Sequence, residues 1–205
     1  SYEYVSPTTI KITGATNASG SIVIPETFTG AGSTSVTVTG IGNIAFSNNT
    51  AITSVHIPAS VISIGQKISG WRAEESASYG TFDGATNLSS VTFAANSNLE
   101  TIGTGAFANL PNLQGITLPD SLRFIESGAF GDSSGLQSIH IPASVERIGT
   151  VGDNNWGAFD CTYVTSSLTS ITFAANSSLE EIGDWTFHMG VFTSIEIPAS
   201  VTTIG

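Results

Sequence analysis

The chain of 205 residues carries 16 Asp and Glu against five Lys and Arg, a formal net charge of −11, and only 10% of its residues are charged, where an ordinary globular domain has about 25%. With no run of Lys or Arg to neutralise phosphates, neither nucleic acid nor an anionic membrane is expected as a partner. No stretch approaches the ~18 consecutive apolar residues of a spanning helix and no signal peptide is recognisable, so no membrane insertion is expected. The single cysteine, Cys161, rules out an intrachain disulfide or a multi-cysteine metal centre.

Residues 1–49 read as an N-terminal cap with a first irregular repeat. Thr9–Thr13, Ser21–Pro25 and Ser35–Thr39 alternate apolar and polar residues as strands do, between Gly-rich turns. Ile41-Gly42 and Ala45-Phe46 then bring the chain into a register that the rest keeps. From residue 50 to 205 the chain repeats itself. Ile-Pro-Ala-Ser-Val recurs at 57–61, 141–145 and 197–201, and Phe-Ala-Ala-Asn-Ser at 93–97 and 173–177. A fixed internal period is the signature of a stacked architecture.

Three landmarks divide each unit: an apolar opener (Ile52, Leu88, Leu113, Leu136, Leu168, Phe192), a later isoleucine (Ile64, Ile102, Ile125, Ile148, Ile182, Ile204) and a phenylalanine (Phe82, Phe107, Phe130, Phe159, Phe187). The minimal unit is 23 residues. Opener to isoleucine takes 12 residues, or 14 where Ala-Ala-Asn-Ser replaces Pro-Ala-Ser. Two longer insertions, near 66–79 and 150–164, fall mainly between isoleucine and phenylalanine, and the last unit is read as incomplete because Gly205 precedes its phenylalanine.

The opener-x-x-apolar-x-apolar segment predicts a half-buried strand, ended by the following Pro, which has no N–H for a ladder. Ile-Gly predicts a turn, and Gly-Ala-Phe a short helical or 3₁₀ turn that places one ring in the core. No unit buries its apolar residues alone. Residues 1–205 are therefore expected to form one mainly β solenoid, with a parallel sheet on one side and short turns opposite.

Leu-Thr-Ser-Ile-x-Ile-Pro-Ala-Ser-Val-x-x-Ile-Gly-x-x-Ala-Phe resembles the repeat of the BspA-like leucine-rich repeat family, over about residues 20–205. The family's Ala-Phe-x-x-Cys survives approximately, as Ala158-Phe159-Asp160-Cys161. The resemblance implies a leucine-rich-repeat solenoid of a microbial cell-surface or secreted protein, commonly one that adheres to host or neighbouring-cell components.

Two surfaces are candidate binding sites. On the sheet, one exposed column is expected to hold Ser54, Ser90, Gly115, Ser138, Ser170 and Ser194, and a second His56, Thr92, Thr117, His140, Thr172 and Glu196. Such a face offers hydrogen bonds with almost no charge. On the insertion side, Trp71, Tyr79, Trp156, Tyr163 and Trp185 gather aromatic rings suited to protein or sugar.

Chemistry is not expected. His56 and His140 lie three units apart, too far to share an ion. No Gly-x-Ser-x-Gly elbow accompanies the hydroxyls. Asp153–Asn155 and Asp160 lack the spacing of a calcium loop, so no catalytic residue, metal or cofactor is assigned. The expected function is non-enzymatic binding or adhesion, outside the cell or at its surface, toward a protein or glycan of a host or neighbouring cell. Structural spacer repeats of a larger surface protein are the alternative. An ice-binding protein is a further one, suggested by Ser90/Thr92 and Ser170/Thr172. The oligomeric state is not readable.

Overall fold

Alternation along each unit and the repeat between units produce two parallel ladders, seen in a computed structural model that describes residues 1–29, 34–67, 80–152 and 156–205. The first ladder is the expected sheet. It holds Gly20–Val23, Ile52–Ile57 and Ser90–Phe93 in one three-stranded sheet, and Gly115–Thr117, Ser138–Ile141 and Ser170–Phe173 in another. Its register matches like with like: Val55 opposite Val91, and Ile116, Ile139 and Ile171 in line.

The second ladder is built from the Ile-Gly segments that periodicity reads as turns. Ser63–Ile64, Thr101–Ile102, Phe124–Ile125, Arg147–Ile148, Glu181–Ile182 and Thr203–Ile204 are two-residue parallel strands, with Ile41 of Ser35–Ile41 at their head. Each isoleucine pairs with that of the next unit, and Ile64, Ile102, Ile125, Ile148 and Ile182 are fully buried. The Gly-Ala-Phe segments are single hydrogen-bonded turns, such as Ala106 N–H to Gly103 O at 3.1 Å, and no helix occurs among the described residues.

Between the ladders, Phe46, Phe82, Phe107, Phe130, Phe159 and Phe187 form one stack, with centroid spacings of 5.0, 5.4, 5.6, 5.3 and 6.5 Å. Rings at this offset add attraction beyond the area they bury. Phe192 closes the stack edge-on against Phe187, at 6.1 Å and 83°. Side-chain hydroxyls join consecutive units where the ladders turn a corner: Ser121 donates to Leu99 O and Ser144 to Leu122 O.

The N-terminal region joins both ladders. Tyr2–Ser6 and Thr9–Ile12 pair as an antiparallel hairpin, and Thr27–Thr29 runs antiparallel to Ser35–Ile41. Gly20–Val23, however, is the first strand of the repeat sheet, with Ser21 beside Ser54. The hairpin joins the second ladder through Thr9–Ile12 against Ser35–Ile41.

The face ladder is not continuous, and this corrects the expectation of one sheet. It breaks between Ser90–Phe93 and Gly115–Thr117, and again after Ser170–Phe173, where residues 194–197 form no strand. Both breaks follow a 14-residue unit and precede a 12-residue one. The second ladder continues across both.

Candidate functional site

Strand alternation places the expected columns outward. Ser90, Thr92, Thr117, Ser138, His140 and Thr172 are exposed, and Ser54 and His56 are half-buried. Register brings Ser54 beside Ser90, Ser138 beside Ser170, His56 beside Thr92, and His140 between Thr117 and Thr172. The two histidines repeat one contact: His56 Nδ1 lies 3.0 Å from Thr92 Oγ1, and His140 Nδ1 lies 2.9 Å from Thr172 Oγ1. Ser54 Oγ donates to Ser21 Oγ at 2.7 Å, so the hydroxyl column extends into the N-terminal region. Glu196 is exposed but lies outside any strand, beyond the second break. The hydrogen-bonded ladder under the columns is thus interrupted, although Ser90–Phe93 and Gly115–Thr117 remain neighbours across the first break.

The insertion side is only partly in view. Trp71 and Tyr79 lie outside the described residues, as do Asp153–Asn155. Trp156 is half-buried and meets Tyr163 at 5.2 Å and 41°, while Trp185 meets His188 edge-on at 5.0 Å. Tyr163 and Trp185 are 64% and 58% exposed, enough to offer ring surface to a partner. Trp185 has φ +57°, a left-handed conformation that Gly105 and Gly128 adopt at the same point of their units. A bulky residue there is a backbone outlier costing about 1–2 kcal/mol.

His188 belongs to a cluster that spacing along the sequence does not bring together. Its Nδ1 lies 3.1 Å from Asp160 Oδ1, with Thr162 Oγ1 donating to the same carboxylate oxygen at 2.7 Å. Asp132, in the neighbouring unit, accepts the Tyr163 N–H at 3.0 Å. Burial pushes the Asp132 carboxyl above the ordinary carboxylate range despite that bond, and the nearby Asp160 charge adds to the rise. Cys161 is buried, and burial pushes its thiol up, away from the reactive thiolate. Asp160 and Thr162 both address the Nδ1 side of His188, so the group ties two units together. The only signal for it in the sequence is that Asp160 and His188 each directly follow a stacked phenylalanine. Among the described residues no group of three or more His, Cys, Asp or Glu could hold a metal ion.

Two ladders of short parallel strands around a phenylalanine stack, with one unit per 23–36 residues of sequence, define a leucine-rich-repeat solenoid. The chain belongs to the family described as BspA type leucine rich repeat region, whose pattern matches in six copies over residues 21–68 and 75–205. It is similar in structure to a leucine rich cell surface protein from Faecalibacterium prausnitzii A2-165, at 31% identity and a TM-score of 0.77, over 100% of this chain and 48% of that one. The chain therefore spans about half the length of that relative. The T. pallidum leucine rich repeat protein shares the fold, at 22% identity and a TM-score of 0.54 over 89% of this chain and 81% of that one. So does the pneumococcal vaccine antigen PcpA, at 22% identity and a TM-score of 0.52 over 100% of this chain and 43% of that one. No curated protein matches the chain by sequence. No helix among the described residues is long and apolar enough to cross a membrane.

Proposed function

We propose that the chain is a non-enzymatic binding module of an extracellular or cell-surface protein, and that it meets a protein or glycan of a host or neighbouring cell through its sheet face. One observation carries this reading. Hydroxyls and imidazoles from successive units are held in register and exposed, with His140 flanked by Thr117 and Thr172 and Ser138 beside Ser170. A rigid parallel ladder fixes their spacing, so a ligand is met without ordering a loop. The described part of the insertion side supports a second reading, because Tyr163 and Trp185 keep exposed rings there.

The test is capture on arrays of extracellular-matrix proteins and glycans at physiological salt. Ser138→Lys and His140→Glu are expected to weaken capture at least ~10-fold, the scale of one lost polar anchor. Loss confined to Trp156→Ala and Trp185→Ala moves the site to the insertion side. Full capture by all four variants, or none by the unaltered chain, overturns the proposal.

A further inference from the structure

Each ladder break carries a hollow on the sheet face, and a further one of about 400 Å³ runs across Ser89–Val91, Gly115–Leu118 and Ser138–His140. The cleft at the first break, about 450 Å³, lies between the 14-residue unit containing Ser90–Phe93 and the 12-residue unit after it, and is lined by Thr92, Phe93, Ser97, Thr117 and Asp120 among others. The second, about 760 Å³, lies at the same step three units later, and its lining includes Thr172, Phe173, Ser177, Glu196 and Ser200. Thr92 corresponds to Thr172, Phe93 to Phe173 and Ser97 to Ser177 in the repeat.

The clefts have a cause in the chain. Ala94 N–H donates to Ile57 O and Ala174 N–H to Ile141 O, both at 2.9 Å, which holds each long unit to the short unit before it. In the unit that follows, the same position is Pro119 or Pro198, which has no N–H to return. Proline alone does not break the ladder, because Ser138–Ile141 pairs with Gly115–Thr117 although Pro142 follows it. The loss of two residues between one unit and the next supplies the rest.

Each cleft joins a half-buried phenylalanine, several hydroxyls and one carboxylate, Asp120 or Glu196, with no Lys or Arg in its described lining. Anionic ligands find no counter-charge there, and the net charge of −11 opposes them. A neutral sugar fits the set: the apolar side of its ring against phenylalanine, its hydroxyls to the carboxylate and to Ser and Thr. An added peptide strand is less suited, because it needs a continuous run of N–H and C=O groups and one wall of each cleft ends in proline.

We infer that the two clefts are paired subsites for one neutral oligosaccharide chain, roughly 14 Å apart at about 4.8 Å per unit. The inference rests on the sheet-face reading above and names its ligand class. Calorimetric titration with maltohexaose, cellohexaose and mannohexaose, each beside its monosaccharide, tests it. At least one hexasaccharide is expected to bind saturably and at least ~10-fold more tightly than its monosaccharide, since the second subsite is then met at high effective concentration. Thr117→Arg and Glu196→Arg, both exposed positions, are each expected to lower that affinity at least ~10-fold while leaving the urea midpoint unchanged. Absence of binding by all three hexasaccharides, or binding that survives both Arg substitutions, overturns the inference. Matrix-protein capture by the same preparation then separates the two proposals: capture without sugar binding leaves the binding module standing, and loss of that capture in the Arg variants makes the clefts protein sites instead.

Discussion

Arg147 and Glu126, from consecutive units, form a two-point ion pair with N to O distances of 2.8 and 3.0 Å, and the glutamate side chain is only 5% exposed. Arg147 Nη1 also donates to Gly149 O and to Thr150 Oγ1, and its guanidinium lies 5.3 Å from the Phe124 ring. The pair therefore joins two units at the second ladder, beside the pairing of Ile125 with Ile148. Removing one partner strands a buried charge, which costs about 3–5 kcal/mol. Arg147→Met should lower the unfolding free energy from urea titration by that amount, and Arg147→Met with Glu126→Leu should recover much of it. A single variant as stable as the parent would show that the pair contributes nothing.

Phe130 lies inside the ring stack, 5.6 Å from Phe107 and 5.3 Å from Phe159, and is 1% exposed. Phe130→Ala removes a ring that both neighbours pack against, at a cost of about 3–5 kcal/mol. Phe130→Leu keeps most of the volume and should cost less. Because contacts in a solenoid are nearest-neighbour, the alanine variant is expected to raise amide exchange most in the units of Phe107 and Phe159. An even increase along the whole chain would show that the solenoid unfolds as one cooperative block.

The phenylalanine stack and the outward columns are legible in the sequence because each rests on one residue recurring at a fixed place in the unit. The second ladder is not legible. Its strands are two residues long, too short for alternation to show, and Ile-Gly reads equally well as a turn. The cluster of Asp160, Thr162 and His188 escapes for another reason, since His188 comes from the unit after the one that supplies Asp160 and Thr162, and only the stacking register joins them. The steps from 14 to 12 residues can be counted in the sequence. That they break one ladder while sparing the other depends on where Pro119 and Pro198 fall relative to the neighbouring strand.

Burial raises the carboxyl pKa of Asp83 and Asp132 above the ordinary aspartate range, against the pull of Asn109 on the first and the Tyr163 N–H on the second. A carboxyl with a raised folded-state pKa holds its proton more tightly when folded. Its contribution to stability is complete below the unfolded value and is lost as pH rises through the folded one. The urea midpoint should therefore fall as pH increases from about 4 toward neutrality. Asp132→Asn keeps an acceptor for Tyr163 N–H and tolerates the local φ of +51°. It should flatten the profile above about pH 4 and raise stability at pH 7. An unchanged profile would mean that Asp132 ionises without penalty in the folded chain.

Changing the length of one unit should change the ladder beside it. Deleting Ala94 and Ala95 converts the unit opened by Leu88 from 14 to 12 residues between opener and isoleucine. The step to the next unit then matches the one joining Gly115–Thr117 to Ser138–Ile141, which stays paired despite Pro142. Gly115–Thr117 should close onto Ser90–Phe93 and fill the space between them. Each backbone hydrogen bond regained contributes about 1 kcal/mol, so amide exchange in residues 115–117 should slow about five- to tenfold. The second ladder, already continuous there through Ile102 and Ile125, should show no change. Exchange that stays fast at 115–117 in a stably folded deletion variant would mean that proline and local side-chain packing, rather than the two-residue excess, hold the ladder open.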